Sequence, residues 1–376
     1  MKICFVMPYH ILENIGGGAE VQAWLMAKEL ARRGLHVSYI CQNRKKRARR
    51  IEIIDGVLVR WVRYARHFFW SNGLEYFRAL MDINPDVIVQ RMTSFITGVV
   101  GFYTKIMRKK FIWICTDNSS PQKWIFLKNQ LKTNRTYRIN YIKSVVFILN
   151  ALICDVFRQW GMKKITYAFT QNDNQRIALK KSFFLDSMRI QSGHESPDLI
   201  MPSEKKLENK IVLWVANLGS NKQPEKFIQL ARLAQETNLS FIMIGSKEER
   251  GQIRKLYNNL PNNLRMLGRL SFEETLRWFD QATFFVNTSR QEGFPNTFIQ
   301  AWLRGLPVLT LNVDPDRVIS TNGLGFVALG IGELLNKLVY LSNHSDEYRR
   351  ISDRVKEYAN RNYLIEKITD DFIKFI

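Results

Sequence analysis

Short apolar runs alternate with helical stretches along this whole chain, and that alternation leaves few folds open. In the first half the runs are 2–7, 37–41, 57–61, 86–90, 111–115 and 164–169. In the second half they are 211–216, 240–244, 264–267, 283–287, 307–311 and 326–329. They are short and rich in Val, Ile and Phe, the composition of strands buried on both faces. Between them lie helical stretches. The clearest, 19–33, ends at Gly34, and Ser271-Phe272-Glu273-Glu274 is a capping box that opens another. Such alternation predicts an α/β class with parallel sheets covered by helices. At 376 residues the chain exceeds the ~250–300 at which a single core stops growing. Two Rossmann-like domains are therefore expected, 1–195 and 196–345, meeting in the polar stretch 192–210 that holds Gly193, Pro197 and Pro202. The helices of 346–376 exceed what the second sheet needs, and one of them is free to pack back on the first domain.

Charge separates the same two halves. The net charge is +22, but residues 1–195 hold 32 Lys and Arg against 13 Asp and Glu, while 196–376 hold 24 against 21. A half that basic is drawn to a polyanion or an anionic membrane. Nucleic acid is one such partner, but the sequence has no zinc spacing, no RNP-type aromatic motif and no basic zipper, so no nucleic-acid partner is expected. Cys4, Cys41, Cys115 and Cys154 are scattered and read as buried, reduced thiols, and neither they nor the five histidines have metal-ligand spacing. His36 and His194 sit at turns and read as structural. Pro8 interrupts the first apolar run before a secretory core forms, so no signal peptide is expected.

Chemistry concentrates where strands end. Glu292-Gly293-Phe294-Pro295-Asn296 follows the run 283–287 and opens a helix that Gly305 closes. A helix start attracts phosphate through unpaired N–H groups and the helix dipole, whereas a carboxylate beside it suits hydroxyls. Lys222 stands in the loop after 211–216, just before a Pro-initiated helix, where it can neutralise a diphosphate. Gly16, Gly17 and Gly18 follow the first run and let a ligand approach the backbone closely. Ser246, at another strand end, is a weaker signal.

Together these features resemble the family-four retaining glycosyltransferases of the GT-B fold, in which two Rossmann-like domains face each other across a cleft. The likeness rests on the Gly-Gly-Gly-Ala-Glu turn, the Lys222-Gln223-Pro224-Glu225 loop, Glu292-Gly293-Phe294-Pro295-Asn296-Thr297-Phe298, and Gly305-Leu306-Pro307-Val308. It runs over nearly the whole chain and is strongest over 211–311. It implies a nucleoside-diphosphate sugar as donor, with Glu292 on the sugar hydroxyls and the amides near Phe294 and Pro295 on the diphosphate. It also implies transfer to an acceptor hydroxyl with retained configuration, and Asp117, beyond the fifth strand, as a candidate for orienting that hydroxyl. No cofactor or metal is implied. Gly17, Gly18, Asn217, Gly293, Asn296 and Gln300 complete the expected donor site.

Two positions depart from the family pattern. Gln300 stands where a second Glu is usual and lacks the charge-assisted bond to ribose, and Asn217 stands where an Arg often precedes the Lys. These departures keep open a weakly active pseudoenzyme, and an epimerase on the same fold is a further alternative. The basic loop Arg44, Lys45, Lys46, Arg47, Arg49 and Arg50, and the stretch 124–160 with Lys128, Lys132 and Arg135, are candidate acceptor or membrane contacts. The apolar run 145–157 is too short and too polar to span a bilayer, which needs ~20 apolar residues. A surface-lying amphipathic helix at an anionic membrane is expected instead, each nearby cation adding roughly 1 kcal/mol. The implied acceptor is a lipid-linked or oligosaccharide glycan, reached by a cytoplasmic protein held peripherally at the inner face of the membrane, as in surface-polysaccharide biosynthesis.

Overall fold

The computed structural model describes residues 1–13, 17–65, 69–137, 140–246 and 259–376. Gly16, named above, lies outside them. The chain divides into two compact units, one of Met1–Gly193 with Ile365–Ile376 and one of His194–Leu364.

The first unit holds an eight-stranded sheet: β1 (Lys2–Val6), β2 (His36–Asn43), β3 (Ile51–Ile54), β4 (Val57–Arg63), β5 (Val87–Gln90), β6 (Lys110–Ile114), β7 (Tyr167–Thr170) and β8 (Met188–Arg189). Their spatial order is β3-β4-β2-β1-β5-β6-β7-β8, parallel apart from the antiparallel β3–β4 hairpin. The second unit holds β9 (Ile211–Val215), β10 (Ser240–Ile244), β11 (Leu264–Gly268), β12 (Phe284–Asn287), β13 (Val308–Thr310) and β14 (Gly325–Val327). They are ordered β11-β10-β9-β12-β13-β14 and are all parallel. This is the doubly wound Rossmann order, in which the chain reverses direction beside the first strand. Each sheet is covered on both faces by apolar side chains.

Every run read as a strand is one. The unread strands are β3, a half-exposed edge paired through the Asp55-Gly56 turn, and the two-residue β8. The segment after 345 is divided. The helix Ser345–Asn362 belongs to the second unit, whereas Ile365–Ile373 belongs to the first, where Ile365, Ile368 and Phe372 enter the core.

Between β6 and β7 lie two helices, Ile125–Tyr137 and Tyr141–Met162. The second packs hard on the helix Phe95–Met107. A Cβ on Gly161 would stand 2.2 Å from the Thr97 carbonyl oxygen, so backbone meets backbone there. This long helix buries an ion pair beside Ala151, Cys154 and Met162 and exposes a stripe of apolar residues. Asp155 and Arg158 are fully buried as an ion pair at 3.5 Å. Tyr141, Ile142, Val145, Val146, Leu149, Ile153 and Val156 are exposed.

Candidate functional site

Asp117 organises its own turn. Its carboxylate accepts from the Ser119 and Ser120 amides at 2.8 and 2.9 Å, the Ser120 and Ser119 hydroxyls at 2.6 and 2.5 Å, and Thr116 Oγ1 at 3.2 Å. Burial pushes its pKa up, but the bonds from Ser119 and Ser120 outweigh that and hold it below the usual range. With two oxygens serving these donors, little capacity remains for an acceptor hydroxyl. The loop is pinned from behind by Arg158, whose guanidinium donates to the Ser120 and Gln122 carbonyls at 3.2 and 2.7 Å and to Thr93 Oγ1 at 3.3 Å.

Gly17 and Gly18 start the helix Gly18–Arg32 in the first unit, beyond β1. The Gly17 amide donates to the Glu20 carboxylate at 2.8 Å, so this turn already holds an anion of its own. Burial raises the pKa of Glu20.

The basic residues fall into two separate groups. The loop of Arg44, Lys45, Lys46, Arg47, Arg49 and Arg50 joins β2 to β3, whereas Lys128, Lys132 and Arg135 ride the helix Ile125–Tyr137 between β6 and β7. β1 and β5 stand between those strands in the sheet. Part of the first group is structural. Arg47 lies 4.3 Å over the Trp61 ring and 3.7 Å from Glu52, Arg44 lies 5.7 Å over Tyr64, and Lys45 donates to the Leu12 carbonyl.

The second unit brings Lys222 and Glu292 together. Lys222 follows β9 and Glu292 follows β12, and these adjacent strands flank the place where the strand order reverses. Ligands of open α/β sheets bind at such a switch point. Lys222 Nζ pairs with Glu292 Oε1, and the side chains are 28% and 16% exposed. Ser289 Oγ donates to the same oxygen at 2.7 Å. The two loops are laced together beneath this pair. Trp214 Nε1 donates to Thr288 Oγ1 at 3.0 Å, and that hydroxyl lies 2.7 and 3.1 Å from the Lys222 and Gln223 carbonyls. The Arg290 amide donates to the Asn221 carbonyl at 2.8 Å, and Asn221 Nδ2 to the Gln291 carbonyl at 2.8 Å. The pair therefore sits on a braced support, as a site that must hold geometry requires.

Behind Glu292, Pro295 caps the helix Asn296–Leu303 without a side-chain bond. Phe294 turns inward against Trp302 and Tyr363, and Gln300 is 6% exposed one turn into the helix. Asn217 is exposed and accepts from Arg269 Nη2 at 3.0 Å. The sequence reading missed Ser289 and Arg269. Ser289, three residues before Glu292, was within reach of it. Arg269 was not, since only the fold brings it to Asn217, 52 residues away.

Among the described residues no group of His, Cys, Asp and Glu could hold a metal ion, and no helix is long and apolar enough to cross a membrane.

Comparison with known proteins agrees with this fold. A family model described as Glycosyltransferase Family 4 matches residues 16–154, and one described as Glycosyl transferases group 1 matches 209–344. A curated relative from Haemophilus influenzae, called an uncharacterized glycosyltransferase, is 26% identical over 189 residues, covering 47% of this chain and 52% of the relative. The chain thus spans about half the length of that relative. Among solved structures, Anabaena HepE in complex with UDP and glucose is similar over 100% of this chain and 98% of its own, with TM-score 0.70 and 14% identity. Sucrose-phosphate synthase from Thermosynechococcus elongatus is similar over 99% and 97%, with TM-score 0.74 and 13% identity. These likenesses establish the fold.

Proposed function

Because this chain belongs to the GT-B glycosyltransferases, a family-four domain followed by a group 1 domain, we propose that it moves a sugar with retained configuration from a nucleoside-diphosphate sugar to a glycan acceptor that is lipid-linked. The observation that carries this reading is the braced Lys222–Glu292 pair at the switch point of the second sheet. Glu292 would read the donor sugar's hydroxyls, while Lys222 and the helix start after Gly293 meet the diphosphate. Displacement by an acceptor hydroxyl builds negative charge on the departing diphosphate, and a fixed cation with oriented amides stabilises that charge without reorganising. Gln300 would bond the ribose as a neutral partner, and Asp117 would shape the acceptor loop as its anchor.

The acceptor side of the proposal rests on the helix Tyr141–Met162. Its exposed apolar stripe exceeds the scattered apolar residues of an ordinary surface, and exposed Lys128, Lys132, Arg135 and Lys143 accompany it. In this reading the stripe enters the headgroup–acyl boundary of an anionic membrane, the cations meet lipid phosphates, and the protein works peripherally at the cytoplasmic face. The test is sugar transfer from a nucleotide-sugar panel to extracted membrane lipids. Wild type is expected to label a lipid fraction and Glu292→Ala to label none. Near-normal labelling by that variant would refute the site.

A further inference from the structure

The Lys222 ammonium does not by itself balance a diphosphate. Lys222 is shared with Glu292, and a nucleoside diphosphate brings more negative charge than one partly neutralised ammonium offsets. Arg269 lies on the same carboxyl edge. It directly follows β11, its side chain is exposed, and its guanidinium donates to Asn217 Oδ1 at 3.0 Å. Asn217, as a neutral amide, orients the guanidinium without itself cancelling its charge.

Local backbone explains how the end of β11 reaches the end of β9, although β10 stands between them. The β10–β11 register shifts after Met243, so that Ile244 pairs with Gly268 and Leu267 is passed over. Such a bulge re-aims the residues that follow it. Gly245 then ends β10. Its amide donates to the Gly268 carbonyl at 2.9 Å, and a Cβ on it would stand 2.0 Å from the Ala216 carbonyl oxygen. The three strand ends are stitched together at a residue with no side chain, and the residues that follow Gly268 and Ala216, Arg269 and Asn217, meet each other.

We propose that Arg269 is a second donor-diphosphate ligand, delivered from β11 and oriented by Asn217. The position next to β9 that an arginine could fill is occupied here by its shorter hydrogen-bonding guide. The proposal rests on the nucleotide-sugar reading above. It adds that charge recognition is divided between two loops far apart in sequence.

The test is isothermal titration of the full chain with UDP, GDP, ADP, CDP and dTDP and with the matching monophosphates. Wild type, Arg269→Met, Arg269→Lys and the double variant Asn217→Arg/Arg269→Met are compared. For whichever diphosphate wild type binds, Arg269→Met is expected to weaken binding roughly tenfold or more, the size of one charge-assisted hydrogen bond. The monophosphate should lose far less, Arg269→Lys should lose an intermediate amount, and the double variant should recover most of the loss. Equal weakening of mono- and diphosphate, or unchanged diphosphate binding in Arg269→Met, overturns the proposal. Failure of wild type to bind any of the five diphosphates overturns the nucleotide-sugar reading itself, and this proposal falls with it.

Discussion

On the proposed donor reading Lys222 has two anionic claimants, and removing one of them has the opposite consequence to removing the lysine. Its ammonium is paired with Glu292, both side chains being mostly shielded from water. A phosphate on the far side of that ammonium would stand ~7 Å from the Glu292 carboxylate. At an effective dielectric of ~20 two like charges at that distance repel by ~2.4 kcal/mol before screening by salt and water. Glu292→Gln removes the repulsion and releases the whole ammonium to the phosphate, so a free nucleoside diphosphate should bind at least roughly threefold tighter. Lys222→Met acts the other way. A cation–anion contact at ~4 Å and an effective dielectric of ~20 is worth ~4 kcal/mol before desolvation, and charged hydrogen bonds retain ~1.5–3 kcal/mol net. Diphosphate binding should therefore fall roughly 10- to 100-fold. Isothermal titration of the three proteins with one diphosphate measures both signs. The corresponding sugar nucleotide should not gain from Glu292→Gln, because its hydroxyls lose their acceptor. If both substitutions weaken the free diphosphate alike, the shared-ammonium account is wrong.

Two further outcomes test the supporting structure. Gly161→Ala would drive a Cβ into the Thr97 carbonyl, a backbone contact that no side-chain rotation relieves. Overpacking costs ~1–3 kcal/mol and outweighs the ~1 kcal/mol gain in helix propensity, so the urea midpoint should fall; a midpoint at or above wild type contradicts the packing. His10 is buried among Trp24, Tyr39 and Trp61, and burial, aided by the Arg47 charge, lowers its pKa to about 3. The unfolded chain takes up this proton near pH ~6.5 while the folded chain does not, so stability falls as pH drops below that value, by ~1.4 kcal/mol per unit at most. Denaturation at pH 7 and 5 should show His10→Gln losing less stability than wild type over that interval. Equal losses in the two proteins would rule out this linkage.

The fold was legible because strands buried on both faces leave dense apolar runs, and each such run is a strand. β3 escaped because it is a half-exposed edge; its signal was the Asp55-Gly56 turn, a pair suited to tight hairpins. The placement of Glu292 and Lys222 was legible for a related reason. Each stands in a loop that follows a strand, and parallel sheets collect such loops on one edge. Their contact was not legible, since it depends on β9 and β12 being neighbours. Arg269 stayed hidden behind a bulge that no residue pattern announces. Asp117 looked available in sequence and is nearly filled by its own turn. In the helix Tyr141–Met162, Asp155 counted in sequence only as a break in an apolar run. In the fold Asp155 and Arg158 are buried on its inner face beside Ala151, Cys154 and Met162, and a stripe of apolar residues is left outside.

The central claim is that the second unit is a nucleotide-sugar site centred on Lys222 and Glu292. Ligand-induced thermal shift across a nucleotide-sugar panel tests it most directly, because a ligand that binds the folded state raises its melting temperature according to affinity and concentration. Wild type should be stabilised by one base class of sugar nucleotide, and Lys222→Met should lose that shift while melting as an intact fold. A flat wild-type response across the panel, or an undiminished shift in Lys222→Met, would contradict the claim.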